Sequence, residues 1–210
     1  MPFKSLVTMA FCIASAVLFS SCGSIPLAKD DRNRMVVSVK DQRMLLVTDG
    51  EPVKTYRIST SKFGLGDQPG SYRTPLGRME VARKIGGGQP QGAVFRSRRP
   101  TGEVLPPNAP GRDPIVSRIL WLRGTEPWNR NAFPRYIYIH GTPERRNLGK
   151  PVSFGCIRMC CEEVIDLYNR VGHGAEVYVT RAGLRETDAG QAWFAANGNP
   201  FRRIARRFNT

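Results

Sequence analysis

Two β-favouring runs, residues 43–48 and 53–59, flank Asp49-Gly50, and such a pair is a strong signal for a β-hairpin. The rest of the chain follows the same style. Val37 and Val39 alternate with Ser38 and Lys40; residues 78–84 and 115–123 read as strands, and 175–180 as a closing one. Residues 135–140 alternate cleanly, with Arg135, Ile137 and Ile139 pointing one way and Tyr136, Tyr138 and His140 the other. Gly64, Gly66, Pro69, Gly70, Pro75 and Gly77 mark 60–77 as loop. Residues 86–114 are rich in Gly, Pro and Arg and show no period, so they read as a long insertion of the kind that forms lids or rims. One segment has a helical period: Val164, Leu167, Tyr168 and Val171 fall at i, i+3, i+4 and i+7 within 162–171, and Gly172 stops it. The expectation is a mainly β fold, a sandwich or partly closed barrel, with one principal helix. A length of 210 residues suits one domain.

The N-terminus speaks to location. Lys4 supplies a positive charge, and residues 6–19 form an uncharged apolar stretch. That stretch is shorter than the roughly 20 residues a membrane span needs and has the length of an export-signal core. Ser20-Ser21-Cys22 then follows, and a Cys directly after small residues resembles the lipobox of bacterial lipoproteins, although Phe19 stands where Leu is usual. That resemblance implies a signal peptide over 1–21, lipid on Cys22, and a membrane anchor facing the cell wall. Residues 22–34 read as a tether, 35–180 as the main domain, and 181–210 as a basic tail with Trp193, Phe194, Phe201, Ile204 and Phe208. The net charge of +15 asks for a polyanionic neighbour. In an exported chain that neighbour is an anionic membrane or wall, and nucleic acid is not expected. No feature sets an oligomeric state.

Export also gives meaning to the cysteines. Setting aside Cys12 and Cys22 leaves Cys156, Cys160 and Cys161, an odd number, so at least one thiol is free. Cys156 sits in Ser153-Phe154-Gly155-Cys156-Ile157-Arg158-Met159, ahead of the expected helix. A thiol at a helix N-terminus would gain thiolate character from the dipole. Gly155 would leave room beside the sulfur and let the N–H groups of Gly155 and Cys156 converge as an oxyanion hole. His140 ends the aromatic-faced strand sixteen positions upstream, and a neutral imidazole beside a thiol can take its proton. Read one at a time, Cys156 is as compatible with a small buried apolar residue and His140 with a structural one. A zinc site from His140, His173 and Cys156 lacks zinc-type spacing, so neither a metal nor a cofactor is expected.

Together the residues form a recognisable pattern. His140-Gly141-Thr142, Leu148-Gly149 and Ser153-x-Gly155-Cys156-Ile157-Arg158-Met159 resemble the signature of the L,D-transpeptidase (YkuD-type) catalytic domain, and Thr74-Pro75-x-Gly77 resembles a turn of the same family. The resemblance spans roughly 35–180. It implies a peptidoglycan stem peptide as substrate, a Cys156 thioester acyl-enzyme formed with loss of D-alanine, and His140 as base with the Gly141 carbonyl orienting its ring. It further implies that Ser153, Gly155, Arg158 and Tyr138 shape the binding site, with Arg158 either holding a substrate carboxylate or making a structural ion pair. Water as acceptor would make an L,D-carboxypeptidase, and a lipoprotein lysine an anchoring enzyme. A non-catalytic wall-binding lipoprotein would be expected to have lost Cys or His, and both are present. The family usually has a second His between the Ser and Gly of this block; here that position is Phe154. In an extended segment Phe154 would lie beside the sulfur and exclude water.

Overall fold

The computed structural model describes residues 28–198. The strands are β1 (Asn33–Ser38), β2 (Arg43–Thr48), β3 (Glu51–Ser59), β4 (Gly77–Ile85), β5 (Ala93–Arg96), β6 (Arg99–Val104), β7 (Ile115–Gly124), β8 (Tyr138–Gly141), β9 (Ile157–Met159) and β10 (Glu176–Thr180). The helices are α1 (Cys161–Arg170) and α2 (Asp188–Asn197). Neighbours in the sheet run β4-β10-β1-β2-β3-β9-β8-β7, and a further β4–β7 pairing closes these into a barrel. The β5–β6 hairpin extends from the start of β7, where Val94 and Phe95 pair with Val116 and Ile115. The β2–β3 hairpin turns at Asp49 and Gly50, both at positive φ (52° and 84°), as a two-residue turn that matches strand twist requires.

Alternation along the strands sorts side chains into two sets. Met35, Val37, Met44, Leu46, Ile58, Met79, Val81, Leu120, Leu122, Ile139, Ile157 and Val177 fill the barrel. Helix α1 adds Val164 and Leu167 to that core, both fully buried, at about 1.5–3 kcal/mol per side chain. On the outer face, Val36, Leu45 and Val47 are covered by Leu184, Trp193 and Phe194. The region read as the start of a basic tail is thus a folded strap, pinned by the Leu184 N–H on Asp41 (2.6 Å) and capped at α2 by Thr187 accepting from the Gly190 N–H. Arg202, Arg203, Ile204, Arg206, Arg207 and Phe208, like Cys22 and the expected signal, lie outside the described residues.

Three local expectations need correction. Residues 86–114 are not a structureless insertion, because they hold the β5–β6 hairpin. The strand expected from Arg135 starts at Tyr138; Tyr136 sits in a turn at φ 58°. The helix begins at Cys161, after a three-residue strand, so Cys156 is not at its N-terminus and draws nothing from its dipole.

Candidate active site

Strands β8 and β9 run parallel, with Ile139 opposite Ile157 and His140 opposite Arg158. Residues opposite each other in a parallel pair point to the same face. Ile139 and Ile157 enter the barrel, so His140 and Arg158 stand on the outer face. One step earlier the same register sets Tyr138 beside Cys156. Cys156 packs against the outer cluster of Ile119, Trp121 and Tyr138, with the Tyr138 backbone N–H near enough to favour its thiolate. The sheet therefore places thiol and imidazole as diagonal neighbours on one face, the Cα atoms roughly 7–8 Å apart by strand geometry.

The loop that delivers Cys156 is held by buried hydroxyls. Ser153 Oγ donates to the Cys156 carbonyl (2.6 Å) and accepts from the Gly155 N–H (3.2 Å). Thr74 Oγ1 donates to the Gly155 carbonyl (3.0 Å) and accepts from the Ser61 N–H (3.0 Å). Gly155 has φ +117°, a conformation that side chains rarely adopt, with Ile137 and the Arg73 carbonyl 3.2 and 3.3 Å from where a Cβ would lie. Gly141 is required for a different reason: a Cβ there would come within 2.5 Å of the Val116 carbonyl oxygen.

His140 is buried, and its Nδ1 is 2.8 Å from the Gly141 carbonyl. That contact makes Nδ1 the protonated nitrogen and leaves Nε2 with its lone pair. Burial drives the imidazole pKa down to about 4; the Gly141 contact opposes this and the Arg158 charge adds to it. Burial likewise pushes the Cys156 thiol up to about 11, against the Tyr138 N–H and the charges of Arg158 and Arg135. The resting thiol donates to the Tyr136 carbonyl at 3.4 Å. Both groups are thus neutral at rest. The two shifts run in opposite directions, so both oppose moving the proton from sulfur to nitrogen in the empty site.

Several residues named from sequence acquire definite partners. Arg158 pairs with Asp113 (2.5 Å), and its side chain is only 11% exposed. Asp113 also accepts from Thr142 Oγ1 (2.5 Å). Of its two expected roles, the ion pair is the one the structure displays. The Gly155 N–H is occupied by Ser153, so the two-amide oxyanion hole expected of Gly155 and Cys156 is not preformed. Phe154 does not follow extended alternation, because Gly155 turns the chain. Its ring is half-exposed, within 5.5 Å of Phe63 and 6.0 Å of Tyr72, with Lys62 Nζ 4.4 Å above it. His173 lies in the turn before β10 with Nδ1 3.3 Å from the Ala82 carbonyl, apart from the dyad. Asp113, Ser61 and the Tyr136 carbonyl escaped the sequence reading, since nothing local marks them; Thr74 stood out only as part of a family turn.

Residues 32–179 match the family model described as the L,D-transpeptidase catalytic domain, YkuD. The chain is similar to the Bacillus subtilis protein named "Putative L,D-transpeptidase YqjB", 26% identical over 160 residues that cover 75% of this chain and 76% of that one. Among solved structures it is similar to an L,D-transpeptidase from Mycobacterium smegmatis (20% identity, TM-score 0.47, covering 71% of this chain and 58% of that one). It is also similar to L,D-transpeptidase 3 from Mycobacterium tuberculosis (21% identity, TM-score 0.47, 71% and 60% covered). The chain thus spans about three fifths of the length of these solved structures.

Proposed function

The chain belongs to the L,D-transpeptidase catalytic-domain family, and from that membership we propose that it transfers acyl groups between peptidoglycan stem peptides through a Cys156 thioester. The observation that carries the reading is the pair on one sheet face: the Cys156 thiol and a neutral His140 whose Nδ1 is tied to Gly141, leaving Nε2 as base. His140 Nε2 takes the thiol proton as sulfur attacks the carbonyl of the diaminopimelate–D-alanine bond. The charges of Arg158 and Arg135, which already favour thiolate, favour negative charge building at this point. The imidazolium returns its proton to the departing amine, the C–N bond breaks, and D-alanine leaves a thioester. An acceptor amine then loses a proton to His140 and attacks the thioester, and the thiol is restored as it takes that proton back. A diaminopimelate side-chain amine as acceptor gives a 3→3 cross-link.

Purified protein incubated with disaccharide-tetrapeptide should release D-alanine and form dimers of cross-link mass. Cys156→Ala should do neither, and a carbapenem should leave a covalent mass adduct on wild type alone. Product limited to tripeptide would reassign the enzyme to hydrolysis, and a fully active Cys156→Ala would end the thioester reading.

We further propose that Cys22 carries lipid and holds the domain at a membrane facing the wall. The support is the apolar stretch ending in Ser20-Ser21-Cys22. Several acyl chains at about 0.8 kcal/mol per buried CH₂ make a lasting anchor. Native protein should partition into membranes and Cys22→Ala should not; soluble native protein of unmodified mass would refute this.

A further inference from the structure

Three arginines surround the thiol and its tyrosine wall, and they differ in one respect. Arg158 is ion-paired with Asp113 and Arg135 with Asp67 (2.9 Å). Arg98 has no carboxylate partner among the described residues. It sits at the tip of the β5–β6 hairpin, where Arg96 pairs with Arg99 across a two-residue turn of Ser97 and Arg98. Its guanidinium centre lies 4.9 Å from the ring centres of both Trp121 and Tyr136, and one of its nitrogens is 3.5 Å from the Tyr138 hydroxyl. Tyr138 belongs to the aromatic cluster against which Cys156 packs. Arg98 is therefore held one tyrosine side chain from the nucleophile, on the solvent side of the aromatic wall.

The turn that holds it is not the one sequence preference would choose. Ser97 and Arg98 both have positive φ (49° and 67°), conformations that favour Asn-Gly at these two positions. A bulky Arg there is a poor choice for hairpin stability, which points to a role for the side chain itself. A guanidinium resting on aromatic rings keeps most of its five donors free, in a fork that fits a carboxylate.

We propose that Arg98 binds a carboxylate of the acyl-donor stem and positions its scissile carbonyl over Cys156. This rests on the stem-peptide reading given above. A tetrapeptide stem carries carboxylates on its glutamate, its diaminopimelate and its terminal D-alanine, the last nearest the attacked carbonyl and the other two farther along the chain. The hairpin then acts as a substrate-reading arm, and a neutralised stem loses its hold on the site.

Two measurements on the full chain test this. In the first, Cys156 is alkylated with iodoacetate and with iodoacetamide, which differ in charge and little in size. Arg98→Gly should lower the iodoacetate-to-iodoacetamide rate ratio about threefold, the size of one cation acting at close range through a wet site. Arg83→Ala, which removes a cation whose backbone lies three strands, roughly 14 Å, from Cys156 and whose guanidinium lies over Trp121 and Phe133, should change it much less. In the second, turnover is measured on the tetrapeptide and on three stems amidated singly at glutamate, diaminopimelate or D-alanine. Arg98→Gly should lower kcat/KM about 10- to 100-fold on the natural stem, with partial recovery in Arg98→Lys. On one amidated stem the variant and wild type should react alike, and that stem names the carboxylate. Melting of Arg98→Gly at or above the wild-type temperature would confirm that the loss is not one of folding. An unchanged alkylation ratio, or equal loss on every stem, would overturn the proposal. If wild type turns over no stem at all, the acyl-donor reading is what fails, and the alkylation ratio still decides whether Arg98 presents its charge to an anion at Cys156.

Discussion

At neutral pH and without substrate, the Cys156 thiol should be almost wholly protonated. Burial raises it to about 11 while His140 is lowered to about 4, so the imidazole is neutral through the physiological range and no thiolate–imidazolium pair is stored. A thiol of that pKa is ionised in roughly one molecule in 10⁴ at pH 7. Its alkylation by iodoacetamide should therefore rise about tenfold per pH unit from pH 7 toward 10. Because the free imidazole is not stabilising a thiolate, His140→Ala should leave that slope nearly intact while lowering acylation by a stem peptide or carbapenem by about 10²–10⁴-fold. Stopped alkylation read by intact mass over pH 5–10 would measure both. A rate plateau between pH 5 and 8 that vanishes in His140→Ala would refute the reasoning, because it would reveal a resting ion pair. In the mechanism proposed above, proton transfer would then wait until substrate is bound.

The same burial makes stability depend on acid. His140 is protonated near 6.5 when unfolded and near 4 when folded, so stability should fall as pH drops from 6.5 to 4, by about 3 kcal/mol in total, and level off below; denaturant melts of wild type against His140→Asn would isolate that limb. Thr74→Val removes the hydroxyl that bridges the Ser61 N–H and the Gly155 carbonyl; it should cost about 1–3 kcal/mol by urea unfolding and slow stem turnover, since the nucleophile loop loses its anchor. Truncation after Thr180 strips Leu184, Trp193 and Phe194 from Val36, Leu45 and Val47 and should cost on the order of 5 kcal/mol, visible as a lower melting temperature, whereas a mere tail would cost nothing.

What sequence could disclose tracked how local the physics was. The β2–β3 hairpin, β10 and α1 carry their own period and turn residues and emerged within a residue or two. The β5–β6 hairpin did not, because Ser97-Arg98 gives none of the Asn-Gly signal and β6 contains Pro100 and Gly102. Cys156 and His140 were legible as a motif, yet the source of their chemistry was misread. A helix was expected to bias the thiol toward ionisation, but α1 starts five residues later and a short β9 intervenes. Asp113 lies 45 positions from Arg158 in sequence and inside an apparently structureless stretch, so only the fold reveals that Arg158 is already paired.

Closing the barrel through β4–β7 leaves β6 as an outer strand, paired with β5 alone. Its sequence, Arg-Pro-Thr-Gly-Glu-Val, withholds one backbone N–H at Pro100 and bends at Gly102, and it flanks these with opposite charges at Arg99 and Glu103. Such an edge is a poor template for a strand from another molecule. A protein crowded onto a surface meets its own copies at high local concentration, where exposed strand edges recruit one another into insoluble assemblies. Among the described residues, the β5–β6 hairpin leaves the barrel and carries its own protection against such pairing. Pro100→Val should expose the hazard: light scattering of concentrated protein should begin at lower concentration than in wild type, and no change would show that the edge was never open to recruitment.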